Sequence, residues 1–192
     1  MKKRSSLYLR GMSFFQKKQQ SKPILIIQGS LSPHSKSHVL VENVADKLHT
    51  RNASFDIVDL RTSDIDFFTG NPISTYNAKT QAVYAALHAA KGYVVSAPVY
   101  GGKISGGIRN FIDIMNDALR GKLAGIMCHA KEGNAYPASV ELKELLFSKA
   151  SMRTVQPIVL TSDDAFKQDS LYDEVILDVM EEMLYSLLKQ MS

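Results

Sequence analysis

Short β-branched apolar runs alternate along this chain with longer stretches in which apolar residues recur at helical spacing. The first run, 24–27, is unbroken and follows Pro23, which is typical of a parallel strand buried on both faces. A helical stripe comes next, at Val39, Leu40, Val44 and Leu48. The first predicted unit is therefore a strand, a loop and a helix.

The same rhythm continues to the end of the sequence. Further strands are predicted at 55–60, 93–97, 123–128 and 153–160, with Pro98 stopping the third strand of the chain. Further helices are predicted at 78–90, 108–119, 138–150 and 171–190. The polar residues 61–77 predict a long loop. Strand–helix units without an internal repeat predict an α/β fold, with helices on both faces of a parallel sheet.

Right-handed crossovers favour the strand order 2-1-3-4-5 for five such units. In that order the first and third strands are neighbours, and their following connections leave in opposite directions. The crevice at their carboxyl ends is the usual ligand site of such a sheet. The two loops that meet there, 29–37 and 98–105, are the richest in Gly, Ser and Pro, so we predict the functional site at this crevice.

The loop at 29–37 has the features of an anion site. It contains four serines, Ser30, Ser32, Ser35 and Ser37, and it precedes a helix whose unpaired amides and positive dipole end face the loop. Lys36 is predicted to add a positive charge. Phosphate is the expected guest, and a single phosphate fits a mononucleotide. The alternative for any one serine is that it only caps the helix.

Charge is distributed unevenly along the 192 residues. The whole chain carries +4 and residues 1–20 carry +6, which leaves −2 for the rest. The basic character therefore belongs to a predicted disordered arm at 1–21, while 22–192 is predicted to form one domain. This placement argues against a nucleic-acid partner, and no apolar run is long enough to cross a membrane.

The arm lacks the apolar core and cleavage site of a secretory signal, and Met12 offers an alternative translation start. Cys128 is the only cysteine, which excludes an intramolecular disulfide and fits the reducing cytoplasm. We predict a cytoplasmic protein in which Cys128 is a core residue of its strand.

Several common motifs are absent from the sequence. There is no GxxxxGK[ST] phosphate loop, no G-x-G-x-x-G dinucleotide fingerprint and no GxSxG nucleophile elbow. No His or Cys pair has zinc-ligand spacing, so no metal site is predicted, and Asp163–Asp164 is expected to serve loop solvation or capping. For His129, at a predicted strand end, we favour a polar loop role over a functional one.

Two segments together resemble the NAD(P)H-dependent FMN reductase family. The family typically shows G-S-x-R-x-x-S after its first strand and P-x-Y-x-x-x-x-S-G-x-L-K-N-x-x-D after its third. Matches to these motifs are Gly29, Ser30, Ser35, Pro98, Tyr100, Ser105, Gly106, Asn110 and Asp113. Ser32 stands where the family often has arginine. The resemblance covers roughly residues 23–188 and lies nearest to reductases that serve sulfonate-utilising two-component monooxygenases.

The resemblance implies a flavodoxin-like three-layer sandwich that binds FMN and uses NADPH or NADH as co-substrate. Ser30, Ser32, Ser35 and Ser37 would contact the FMN phosphate. Beside the ribityl chain and ring would lie Pro98, Val99, Tyr100, Gly101 and Gly102. The alternative for Gly101–Gly102 is an ordinary flexible turn. Gly133 is the one glycine where the family usually has a Gly-Gly turn against the ring.

The predicted activity is hydride transfer from nicotinamide to FMN and onward to free flavin, a quinone, an azo compound or a partner monooxygenase. No catalytic side chain is predicted, because the cofactor performs the chemistry. The resemblance further implies a homodimer or homotetramer. The alternatives are a flavodoxin-like electron carrier or flavin-binding regulator without NAD(P)H turnover, and a fold that has lost flavin and serves assembly.

Overall fold

The computed structural model describes residues 24–191. The predicted arm at 1–21 lies outside the described residues. The strands are β1 Ile24–Gln28, β2 Phe55–Asp59, β3 Gly92–Tyr100, β4 Lys103–Ile104, β5 Leu123–Ala130, β6 Arg153–Thr154, β7 Val159–Thr161, β8 Phe166–Lys167 and β9 Ser170–Leu171. The α-helices are α1 Lys36–Thr50, α2 Ala78–Ala89, α3 Gly106–Leu119, α4 Tyr136–Ala150 and α5 Glu174–Met191.

The main sheet has the strand order β2-β1-β3-β5-β6, and β7 also pairs with β5. All of these pairings are parallel; Ile24 of β1, for example, lies between Phe55 of β2 and Gly92 of β3. Because β5 is the fourth predicted strand and β6 with β7 replaces the fifth, the predicted order 2-1-3-4-5 is confirmed. The short β4 adds an antiparallel pairing to the end of β3.

Helices cover both faces of the sheet, and each face has its own core. Ile24 and Ile26 point toward α1 and α5, where they join Leu40, Val44 and Leu184. Leu25 and Ile27 point the other way, into a core formed with α2, α3 and α4. The apolar run 24–27 is therefore buried on both faces, as a parallel strand requires.

The third strand does not stop at Pro98, contrary to prediction, but continues to Tyr100. The carbonyl of Ser96 accepts the amide of Gly29 at 2.8 Å, and this is the last bond between β3 and the β1 side. Two residues later Pro98 faces the same side, where β1 has already ended. The missing N–H of Pro98 therefore breaks no ladder bond, which is the condition under which proline is tolerated in a strand.

The end of the chain also differs from the prediction. The predicted fifth strand is split into β6 and β7, separated by residues 155–158. The last helix begins at Glu174 rather than at Leu171, because Leu171 pairs with Phe166 in the β8–β9 hairpin. The Asp173 carboxylate accepts the amides of the next turn and so marks the start of α5. Among residues 24–191, no helix has both the length and the apolar character needed to cross a bilayer.

Candidate functional site

The two loops predicted to form the site lie in contact at the carboxyl ends of β1 and β3. The amide of Gly29 donates to the carbonyl of Ser96 at 2.8 Å. The hydroxyl of Ser105 lies 3.4 Å from the carbonyl oxygen of Gly29 as donor, and it accepts the amide of Ile108 at 3.3 Å to cap α3. The topology therefore brings together the two segments that the sequence singled out.

Gly29 is required at this junction because there is no room for a side chain. A Cβ added to Gly29 would lie 2.2 Å from Cδ1 of Ile108 and 2.8 Å from the carbonyl oxygen of Ser96. The first of these atoms is a side-chain end that could shift, but the second is backbone. Close approach of β1 to the start of α3 thus depends on the missing Cβ.

A ladder of side chain to backbone hydrogen bonds shapes the first loop, which we define as residues 29–37. The Gln28 Oε1 accepts the amide of Ser30, and the Ser30 hydroxyl accepts the amide of Ser32 at 3.2 Å. The Ser32 hydroxyl in turn is 3.4 Å from the amide of His34, which donates to it. Alternate amides of the loop are therefore satisfied internally, and two of the predicted phosphate-binding serines build the loop itself.

Ser35 and Ser37 lie at the N-terminus of α1 and keep their hydroxyls unused. Ser35 is the N-cap residue, yet its side chain makes no cap hydrogen bond. Ser37 is completely buried, and its Oγ has no hydrogen-bond partner within residues 24–191. In the same described part of the chain, the amides of residues 35–37 have no protein acceptor. These donors, with the positive end of the 15-residue helix α1, fit a phosphate.

Lys36 does not add its charge to this donor set as predicted. Its ammonium donates to the carbonyl of Gln168 and pairs with the carboxylate of Asp169 at 3.3 Å. It also lies 5.5 Å from the ring centre of Phe166. Lys36 therefore fastens the β8–β9 hairpin to the start of α1, and neutral groups dominate the anion site.

The predicted flavin wall is a tight hairpin. Pro98 and Val99 are buried at the end of β3, whereas Tyr100 is 59% exposed. Gly101 and Gly102 connect Tyr100 to Lys103, with φ of 56° and 74°. A two-residue hairpin turn with both central φ values positive strongly favours glycine at these positions. The pair is thus a defined turn that holds Tyr100 open to solvent at the crevice.

The strand β5, which pairs with β3, continues to Ala130 rather than ending at Cys128 as predicted. Gly133 lies on an exposed bend, with φ of 82°, and a Cβ added there would meet no atom within 4 Å. His129 is buried at 7% exposure instead of being a polar loop residue; its Nδ1 lies 3.1 Å from the Thr161 hydroxyl and its Nε2 lies 3.2 Å from the Asp163 carboxylate. Burial lowers the pKa of His129, although Asp163 opposes that shift. Asp163 thus has a structural partner.

A second loop leaves the same edge of the sheet, after β2, and we define it as residues 61–77. Asn110 of α3 clamps it: the amide of Phe68 donates to Oδ1 and Nδ2 donates to the carbonyl of Asp66, both at 2.8 Å. Within this clamped segment Phe67 is 85% exposed. The long predicted loop is therefore ordered by tertiary contacts and presents an aromatic side chain.

Neither a metal-ligand cluster nor an activated cysteine is found among the described side chains of residues 24–191. In residues 24–191, no group of three or more His, Cys, Asp or Glu residues is arranged to hold a metal ion. Cys128 is buried, and burial raises its pKa to about 12, so it is a core residue rather than a nucleophile.

Sequence reasoning missed two residues of this site as contributors. Gln28 anchors the ladder of the first loop, and the signal for it was a lone amide at the end of an apolar run. Ser96 links β3 to the first turn of α1, because its hydroxyl donates to the carbonyl of Ser37 at 3.0 Å. Nothing in the sequence around Ser96 distinguishes it from any other serine in a buried strand.

Comparison with known proteins places this geometry in context. A sequence model described as NADPH-dependent FMN reductase matches residues 23–167. An NAD(P)H-dependent FAD/FMN reductase from Geobacillus thermodenitrificans is 32% identical over 109 residues, which cover 55% of this chain and 58% of that relative. The match thus spans little more than half of the relative's length.

Solved structures share the fold at lower identity. An NADH:FMN oxidoreductase in its apo form is 24% identical, with a TM-score of 0.72 over 86% of this chain and 90% of its own. An NAD(P)H:(acceptor) oxidoreductase from Paracoccus denitrificans is 18% identical, with a TM-score of 0.69 over 88% and 98%. A flavodoxin from the domain Archaea is 13% identical, with a TM-score of 0.60 over 88% and 97%. The predicted flavodoxin-like fold is confirmed.

Proposed function

The chain belongs to the NADPH-dependent FMN reductase family, as its motifs predicted, and we propose that it reduces FMN with NADPH or NADH. FMN supplies the redox chemistry when bound, by accepting a hydride from the nicotinamide. The protein is then an oxidoreductase whose side chains bind and orient FMN and the nicotinamide and shield them from water. No residue is assigned as a catalytic acid, base or nucleophile.

The first loop is the proposed phosphate site. The amides of residues 35–37 and the hydroxyls of Ser35 and Ser37 would hold the phosphate, because these donors have no protein acceptor within residues 24–191. Ser30 and Ser32 would act chiefly by keeping the loop in shape, since their hydroxyls already accept loop amides.

The flavin ring is proposed to lie beside the β3–β4 hairpin. Pro98 and Val99 offer buried apolar surface, Tyr100 is exposed at the rim, and Gly101–Gly102 lets backbone amides approach the ring edge. We also propose that Gly133 contacts the ring, because its bend follows β5, the strand that neighbours β3.

One observation carries this proposal. The first loop, which holds the unpaired donors, and the segment that follows the β3–β4 hairpin come together just beyond the end of β1, where the Ser105 hydroxyl donates to the carbonyl of Gly29. In parallel sheets of this topology ligands bind at that crevice. The donor set is matched to one phosphate, which fits FMN better than a dinucleotide.

The proposal also covers the electron acceptor and the oligomeric state. Free flavin, a quinone, an azo compound or a flavin-dependent monooxygenase would take electrons from the reduced flavin. We further propose a cytoplasmic homodimer or homotetramer, for which Phe67 at 85% and Phe147 at 66% exposure provide apolar surface. Light scattering would show a mass of twice or four times that of the 21.3 kDa chain.

The test is a nucleotide oxidation assay on the purified protein. Absorbance of NADPH and of NADH is followed with and without added FMN, and oxidation that requires FMN is the expected result. The preferred nucleotide follows from the two rates. Acceptors of each proposed class are then added to the reduced mixture, and the true acceptor increases the rate.

Two outcomes would contradict the reductase proposal. FMN bound tightly without oxidation of either nucleotide would indicate a flavodoxin-like electron carrier or a flavin-binding regulator. No quenching of FMN fluorescence on titration with protein would indicate a fold that serves assembly without flavin.

A further inference from the structure

Gln28, the last residue of β1, is completely buried at 0% exposure. Its Oε1 accepts the amide of Ser30, but its Nε2 has no partner among residues 24–191. The Ser37 hydroxyl is buried and unpartnered in the same part of the chain. Buried polar groups are nearly always hydrogen-bonded, so two unpaired groups at one loop call for a ligand or a function.

Gln28 and the first turn of α1, which contains Ser37, are connected through Ser96. Gln28 and Ser96 are direct partners in the register between β1 and β3. Ser96 in turn donates its hydroxyl to the carbonyl of Ser37 at 3.0 Å, so the start of α1 rests on the pair. The unpaired donors of Gln28 and Ser37 are therefore located on the side of the sheet where the loop amides are also free.

We propose that Gln28 is a positioning residue that sets the affinity of the first loop for the phosphate of FMN, an inference that rests on the proposed function. Its oxygen fixes the amide of Ser30 and thereby the ladder through Ser32. Its Nε2 adds a buried donor dipole on the floor of the anion site. A neutral amide does both without placing a negative charge under a phosphate.

Neither a hydrocarbon nor a carboxylate would replace this residue. Leucine would fill the buried space, but it would release the Ser30 amide and remove the donor dipole. Glutamate would keep the acceptor for Ser30 while adding a charge of the same sign as the ligand. The two substitutions therefore separate loop geometry from electrostatics.

The experiment measures the dissociation constants of FMN and riboflavin, which lacks the phosphate, by fluorescence quenching. Wild-type protein is compared with Gln28→Leu, Gln28→Glu and the control Gln190→Leu, the same change at an exposed position of α5. We expect Gln28→Leu to weaken FMN binding by about tenfold and Gln28→Glu by more, with riboflavin binding unchanged. The Gln28→Glu loss should shrink at low pH, where the carboxyl is protonated.

Failure of this inference is distinguishable from failure of the proposed function. If wild-type protein does not prefer FMN to riboflavin, the proposed phosphate site is wrong. If that preference exists and survives in both Gln28 variants, only the role of Gln28 is wrong. Circular dichroism confirms folding, and if Gln28→Leu does not fold, the nearly isosteric Gln28→Glu decides the question alone.

Discussion

Two loops leave the same edge of the sheet, and their amides are bonded differently. The ladder of the first loop joins side chains to amides two positions away, from Gln28 to Ser30 and onward to Ser32. The centre of the second loop is instead bonded to a distant helix, through the amide of Phe68 and Asn110, 42 positions away. Short-range bonds therefore shape the start of the first loop, whereas the centre of the second loop depends on the helix beside it.

This difference separates a ligand site from a scaffold. The local ladder uses only alternate amides, which leaves other donors of the first loop without a protein acceptor among the described residues. In the second loop the amides of Asp66 and Thr69 donate to Thr80 and Tyr76 at 3.0 Å each. We therefore expect changes in the first loop to alter phosphate binding and changes in the second to alter local stability.

The largest effect is expected from Gly29→Ala, which would break the first loop at its base. The new Cβ would overlap the side chain of Ile108 and approach the Ser96 carbonyl to 2.8 Å. We expect the free energy of unfolding to fall by about 3 kcal/mol and FMN binding to be lost. Urea unfolding and fluorescence quenching measure the two quantities.

Gly107→Ala is the matched control for Gly29→Ala. A Cβ at Gly107, in the first turn of α3, would have Cδ1 of Leu31 as its nearest neighbour, at an ordinary 3.6 Å. Its stability should therefore change by less than about 0.5 kcal/mol. Equal losses of stability in both variants would show that the close packing around Gly29 does not cause the loss in Gly29→Ala.

Asn110→Ala should affect the second loop alone. The amide of Phe68 and the carbonyl of Asp66 would each lose a 2.8 Å hydrogen bond, at about 1–2 kcal/mol of stability in total. Hydrogen–deuterium exchange should accelerate in residues 66–69, while FMN affinity stays within about twofold of wild type. Asn116→Ala, which removes a bond within α3, is the control, and a large loss of FMN binding would refute the separation of the two loops.

A shift in pH should distinguish the surroundings of the two loops. Burial lowers the pKa of His129, so the folded state favours the neutral form and the unfolded state binds more protons below its ordinary pKa. Stability is therefore complete above about pH 6.5 and decreases as the pH falls toward the folded pKa. The ring of His129 lies edge-on to Phe166 of the β8–β9 hairpin, with 5.4 Å between the ring centres, so acid should affect that hairpin. The second loop contains no histidine, but its Arg61 lies 3.3 Å from Nδ1 of His38, so residues 66–69 of that loop serve as the comparison.

Exchange in the β8–β9 hairpin and in the second loop is compared at about pH 7.5 and about pH 5.5, after correction for intrinsic exchange rates. His129→Gln should reduce the acid loss of stability without abolishing it, because burial lowers the pKa of His38 as well. An unchanged acid loss in His129→Gln would show that His129 is not responsible.

The smallest effect is expected from Ser35→Ala, which tests whether a cap position has been left for a ligand. Ser35 makes no side-chain cap bond, whereas Asn77 at the start of α2 accepts the amide of Thr80 at 2.8 Å. Ser35→Ala should change stability by less than about 0.5 kcal/mol and Asn77→Ala by about 1 kcal/mol. FMN binding should weaken only in Ser35→Ala; the reverse pattern would make Ser35 a helix cap.

The sequence predicted the parts of the fold that depend on neighbouring residues. The apolar run 24–27, the helical stripes and the serine-rich loop all follow from short-range periodicity, and they led to the confirmed strand order and family. The contact between the loops after β1 and β3 also followed, because topology rules link strand order to the ligand edge. The assignment of individual residues to FMN remains a prediction.

Only the tertiary structure decided how those parts end and which polar groups are satisfied. Pro98 lies within a strand because β1 ends before it, and Leu171 pairs with Phe166 instead of entering α5. Lys36 and His129 found partners more than 30 positions away, in Asp169 and Asp163. Local pattern reveals which face of an element is buried, but the partner of a side chain depends on which distant segment the folded chain brings beside it.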